Sequence, residues 1–66
     1  MIDPDALYEQ HHVAEYLGKT KTWMERARSR GFGPAYLRLG RSIRYKGSDV
    51  LTWLDGQRHT SSRGNP

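Results

Sequence analysis

Apolar and polar positions along this chain fall into three helical patterns and one extended pattern. From Glu9 to Leu17 the apolar residues Val13, Tyr16 and Leu17 recur at spacings of three and four, with Ala14 as a small contact point. Gly18 stands where a left-handed residue ends a helix, whereas Glu9 makes a weak N-cap. A second helix is predicted from Thr20, a good N-cap, to about Arg30, with Gly31 as its stop. Only three residues separate the two helices, and a connection this short that contains glycine makes them cross at a large angle, as in a helix-turn-helix.

At about 100° per residue, Thr20, Met24, Ala27 and Gly31 share one face of the second helix, and Thr22, Glu25, Arg26 and Ser29 share the opposite one. Lys21 and Arg30 flank that outer face. The apolar stripe is thin, so this helix relies on its neighbours and presents most of its circumference outward.

Gly31-Phe32-Gly33-Pro34 cannot continue a helix. Beyond it, Tyr36 to Leu39 and Ser42 to Tyr45 alternate as two strands around Gly40-Arg41. A two-residue loop would set Leu39 against Ser42 and Leu37 against Arg44, mixing the faces. A three-residue loop of Gly40, Arg41 and Ser42 sets Leu39 against Ile43 and Leu37 against Tyr45, which turns four apolar side chains inward and is the predicted register. It also places Arg38 and Arg44 together on the outer face, with Arg41 at the tip. A third helix opens around Gly47-Ser48-Asp49, with Ser48 as its cap, and is expected to bury Val50, Trp53 and Leu54 while Leu51 faces away.

The ends are different in kind. Residues 1–6 are expected to form a flexible polar arm, residues 7–57 the folded domain, and residues 58–66 a disordered tail of turn formers and small polar side chains. Sixty-six residues suffice for one small domain, near the lower limit at which an apolar core alone offsets chain entropy. The chain has no cysteine, hence no disulfide, thiol nucleophile or cysteine-based zinc site. Its N-terminus carries acids where a signal peptide has Lys or Arg, and no apolar run approaches the roughly 20 residues of a membrane span. A cytoplasmic protein with no membrane partner is expected.

Charge is segregated along this pattern. The stretch from Lys19 to Lys46 holds nine of the eleven Lys and Arg residues and one acid, Glu25, a balance of +8. The rest of the chain, with two cations and six acids, carries −4. Such a surface attracts a polyanion on one side, and nucleic acid is the first candidate.

Several motifs then carry a resemblance in order and spacing: Val13-Ala14-Glu15-Tyr16-Leu17-Gly18, Gly33 to Arg41, Ile43-Arg44-Tyr45, and Ser48-Asp49-Val50 followed by Trp53-Leu54. Over Tyr8 to Leu54, 47 of the 66 positions, the chain resembles the short winged helix-turn-helix proteins of the excisionase and AlpA type. The resemblance implies a small α+β fold, a winged helix-turn-helix of three short helices with a two-stranded β-hairpin wing. It also implies that the second helix enters the DNA major groove and the wing meets the backbone or minor groove. Members that accompany a tyrosine recombinase act as recombination directionality factors: they bind repeated sites near an attachment site, bend the DNA and favour excision of a mobile element, while others regulate transcription. The family pattern has apolar residues at the positions of Ala27 and Arg28, so Trp23 is expected to cover that gap, with Arg28 running past it.

On this frame Lys21, Thr22, Glu25, Arg26 and Ser29 are the candidates for the major groove, where an arginine forks onto guanine and a glutamate accepts from a cytosine amino group. Lys19, Thr20, Arg30, Arg38, Arg44 and Lys46 are assigned to phosphates, and Arg41 at the hairpin tip to a narrowed minor groove. Double-stranded DNA is the expected partner. By resemblance, a tyrosine integrase and neighbouring copies of the chain on DNA are partners too, with Leu51 and the residues beyond Gln57 as contact candidates.

Other classes of function find less support. His11 and Glu15 lie four apart on one helix face beside His12, but no third or fourth ligand is placed for a metal. No serine-histidine-acid set or phosphate-cradling glycine loop is present, so neither catalysis nor a cofactor is expected. An AlpA-like transcriptional regulator remains an alternative with the same binding mode, and a protein-interaction module is a third reading.

Overall fold

In the computed structural model, which describes residues 1–59, two helices and a hairpin enclose a small core and a third helix closes it. The elements run β1 (Leu7–Tyr8), α1 (Gln10–Leu17), α2 (Lys21–Arg30), β2 (Leu37–Leu39), β3 (Ser42–Lys46) and α3 (Gly47–Gly56). The α+β winged helix-turn-helix expected from the sequence is present, with one strand more than expected: β1 joins the hairpin in an antiparallel sheet of order β1-β3-β2.

The helix-turn-helix forms for the reasons legible in its residues. Glu9 precedes α1 without a side-chain cap, and the helix ends at Gly18 in the left-handed region, where the Lys19 amide donates to the Ala14 carbonyl at 2.8 Å. Thr20 caps α2, its Oγ1 accepting from the Trp23 amide at 3.0 Å. Gly31 ends α2 as Gly18 ends α1, with Phe32 donating to Ala27 at 2.9 Å. The buried residues Val13 and Ala14 of α1, Met24 of α2, Tyr45 of β3 and Val50 of α3 form the core. Tyr8, Leu17, Trp23 and Ile43 pack around it, half-buried.

The hairpin register differs from the expected one. Its loop has two residues, Gly40 and Arg41, and pairs Leu39 with Ser42, Arg38 with Ile43 and Leu37 with Arg44. A slip of one residue reverses every side chain of a strand, so Leu37 and Leu39 lie on the outer face, 39% and 49% exposed. Ile43 and Tyr45 remain inward. Two features favour this register over the three-residue loop. Gly40 at φ 63° supplies the positive φ that a primed two-residue turn requires, and such turns match the twist of the strands. The inner face is filled without the leucines, because Tyr8 of β1 lies opposite Tyr45 and the Tyr36 ring stands 6.2 Å from it. Consequently Arg38 and Arg44 are on opposite faces of the sheet rather than together on the outer one.

Residues 1–6, expected as a free arm, are packed against the domain. Ile2 is buried, and the Asp3 amide donates to the Tyr8 hydroxyl at 2.7 Å. The arm also replaces the expected Ser48 cap of α3: the amides of Gly47 and Ser48 donate to the carbonyls of Ala6 and Pro4, each at 2.9 Å. Helix-end amides need such partners, and backbone carbonyls serve as well as a side chain. The approach is close enough that a Cβ on Gly47 would lie 1.9 Å from the Asp3 carbonyl oxygen.

Only the first turn of α3 reaches the core, which corrects its expected inner face. Val50 is buried, but Trp53 is half-buried, Leu54 is 36% exposed and Leu51, expected outside, is half-buried. Trp53 instead meets the Trp23 ring edge-on at 6.0 Å. Of the expected tail, residues 60–66 lie outside the described residues, while Arg58 pairs with Asp55 at 3.0 Å.

Candidate nucleic-acid interface

The second helix is held by one side and by its cap, which leaves the other side available. Met24 and Ala27 are buried, while Lys21, Thr22, Glu25, Arg26, Ser29 and Arg30 are all exposed. Among the described residues, no side-chain hydrogen bond or ion pair engages any of these six. The first turn of α2 contains no acid to offset the positive end of the helix dipole. A ten-residue helix spans about 15 Å at 1.5 Å per residue, enough to lie along a major groove about 12 Å wide.

The residues assigned to phosphates and the wing are distributed over several places. Lys19 sits in the turn with its Nζ 5.4 Å from the centre of the Trp23 ring, a cation–π contact that holds it beside α2. Thr20 is engaged as the N-cap, and Arg30 closes the C-terminal turn of α2. Arg38 is exposed on β2, on the Ile43 side of the sheet. Arg41 is exposed at the hairpin turn, whereas Arg44 is half-buried and donates from Nη1 to the Ile43 carbonyl at 2.9 Å. Lys46 ends β3 and precedes α3, exposed, opposite Leu7 of β1.

Lys21, Arg41 and Arg44 come together in a notch of about 400 Å³ between the start of α1, the first turn of α2 and the β2–β3 turn. Six further residues line it that the sequence did not assign to the interface: Glu9, Gln10, His11, Arg28, Ser42 and Ile43. Arg28 is the most consequential. Its Nη1 donates to Gln10 Oε1 and to the Tyr45 hydroxyl, the latter at 3.0 Å, and its guanidinium lies 5.9 Å from the centre of the Tyr36 ring. One side chain thereby ties α2 to α1, to β3 and to the approach to the wing. An arginine where the resemblance implies an apolar residue is the only signal in the sequence, because its partners lie 17 and 18 positions away and only the fold brings them near.

A tight helical turn, an exposed polar and basic helix face and a basic hairpin in one sheet together define a winged helix-turn-helix. Comparison with known families agrees, since the helix-turn-helix domain family matches residues 11–58. The chain belongs to that family of DNA-binding domains, which includes AlpA-like excisionase-type proteins. No curated protein matches the chain. Among the described residues, no helix is long and apolar enough to cross a membrane.

Proposed function

We propose that this protein is an excisionase, a recombination directionality factor that binds specific DNA near an attachment site, bends it and turns a tyrosine recombinase towards excision of a mobile element. The observation that carries this reading is the exposed, unengaged face of α2 beside a wing that shares its basic notch, in a domain whose motifs follow the excisionase and AlpA order. The protein acts without catalysis, in the cytoplasm on nucleoid DNA, by shaping the substrate that the recombinase cuts.

Arg26, with Lys21, Thr22, Glu25 and Ser29 around it, reads base edges, while Lys19, Thr20, Arg30, Arg38, Arg44 and Lys46 hold the backbone and Arg41 probes the minor groove. Backbone contacts on both sides of the groove let the protein stabilise a bend, because the added contacts offset a deformation cost on the order of 1–6 kcal/mol. Neighbouring copies on DNA and the integrase complete the assembly.

A transcriptional regulator would use the same interface, so the discriminating experiment measures recombination directly. A plasmid carrying the integrated form of the element is incubated with integrase, with and without this protein, and excised circles are quantified. The proposal expects excision to depend on the added protein. Unchanged excision, alongside altered output from a nearby promoter, would assign the protein to regulation instead.

A further inference from the structure

The notch holds a group that the DNA contacts proposed above do not use. His11 lines it together with Lys21, Arg28, Arg41 and Arg44, so four cations and one imidazole from α1, α2 and the wing converge on one concave surface. Glu9 lies at the same rim, its Oε1 3.6 Å from His11 Nδ1. We propose that this notch is a seat for a single DNA backbone phosphodiester, with protonated His11 as one of its ligands, so that DNA binding takes up a proton. This inference rests on the DNA-binding reading but goes beyond it: it moves Lys21 from the base edges and Arg41 from the minor groove to one backbone phosphate, seated at the joint between helix and wing.

The chemistry follows from what surrounds the notch. A phosphodiester carries one negative charge and two acceptor oxygens, and concave basic surfaces suit it because several donors reach it at once. Arg28 shapes the wall, its guanidinium fixed by Gln10 and Tyr45, while Lys21, Arg41 and Arg44 supply charge from both sides. The positive end of α2, uncompensated by any acid in its first turn, adds to the attraction. His11 is the only lining group whose charge ordinarily changes between pH 5 and 8.

The charged groups that share the notch with His11 are Glu9, Lys21, Arg28, Arg41 and Arg44, and the His12 ring centre is 4.1 Å from its own. A phosphate in the seat screens the four cations from the imidazole and adds a negative charge beside it, so the bound state holds the proton more tightly than the free state. Binding therefore strengthens as pH falls. Glu9, whose charge repels the phosphate, weakens binding at every pH.

Fluorescence anisotropy of the full chain with a mixed-sequence DNA duplex at pH 6 and pH 8 tests this, because a backbone contact does not need a cognate sequence. The expected result is binding roughly three- to tenfold tighter at pH 6. His11→Gln should abolish that difference, His12→Gln should keep it, and Glu9→Gln should tighten binding at pH 8. Lys21→Ala and Arg44→Ala should each lower the salt slope by about one unit. A pH dependence that survives His11→Gln, or salt slopes untouched by both cation variants while the duplex still binds, would overturn the seat and leave DNA binding standing. Failure to bind any duplex at either pH would overturn both.

Discussion

Replacing Arg28 with methionine removes the one side chain that, among the described residues, hydrogen-bonds α2 to both α1 and β3. Methionine keeps much of the packing volume but makes neither hydrogen bond. Tyr45 is 1% exposed, so its hydroxyl loses its donor in a place water does not readily reach. A hydrogen bond to a charged group contributes about 1.5–3 kcal/mol, and an orphaned buried hydroxyl costs about 1–3 kcal/mol. Together these span about 2.5–6 kcal/mol; because Arg28 is itself only half-buried, the lower part applies, and the expected loss is about 2.5–4 kcal/mol. Domains of this length have a stability of about 3–10 kcal/mol at roughly 0.05–0.15 kcal/mol per residue, so the variant sits near the edge of folding. Urea titration followed by circular dichroism, with the slope checked for constancy, reads the change. The Arg28→Met, Tyr45→Phe double variant should recover about 1 kcal/mol, because it no longer leaves a buried hydroxyl unpaired. A single-variant loss below about 0.5 kcal/mol, the range of ordinary surface changes, or a double variant no better than the single one, would refute this account of Arg28.

Other residues give sharp expectations. Arg26→Ala should cost about 1–3 kcal/mol on cognate DNA and little on a scrambled duplex, measured by anisotropy; equal losses on both would remove Arg26 from base reading. Gly47→Ala forces a Cβ against the Asp3 carbonyl and should destabilise the domain by about 1–3 kcal/mol, with loss of amide exchange protection at positions 47 and 48 as the signature of a displaced arm. Met24→Ala, at a fully buried position, should cost about 2–5 kcal/mol in denaturant titration.

The parts of this structure that were legible in the sequence are those encoded by local chemistry. Thr20 caps α2, Gly18 and Gly31 stop their helices, and Met24 and Ala27 turn inward, because each depends on residues within one or two turns. The hairpin register is not legible in the apolar pattern, because the turn preference of Gly40 outweighs the burial of Leu37 and Leu39. Nothing in Leu7-Tyr8 announces a two-residue strand, yet its pairing with β3 sets Tyr8 opposite Tyr45, on the inner face that the expected register gives to the leucines. The docking of the arm is illegible for a related reason: Pro4 and Ala6 cap α3 through carbonyls that every residue has. In the interface, the outward face of α2 follows from helical periodicity alone. The notch does not, since Lys21, Arg28 and Arg44 meet only when the wing folds back on the helices.

The central claim is that the outer face of α2 and the wing read a particular DNA sequence near an attachment site. Anisotropy of the purified chain with an attachment-site duplex and a scrambled duplex, across a salt series and past one equivalent of protein, tests it most directly. The account predicts tighter, cooperative binding to the attachment-site duplex, with a salt slope that reports several phosphate contacts. Weak and equal binding to both duplexes would contradict it.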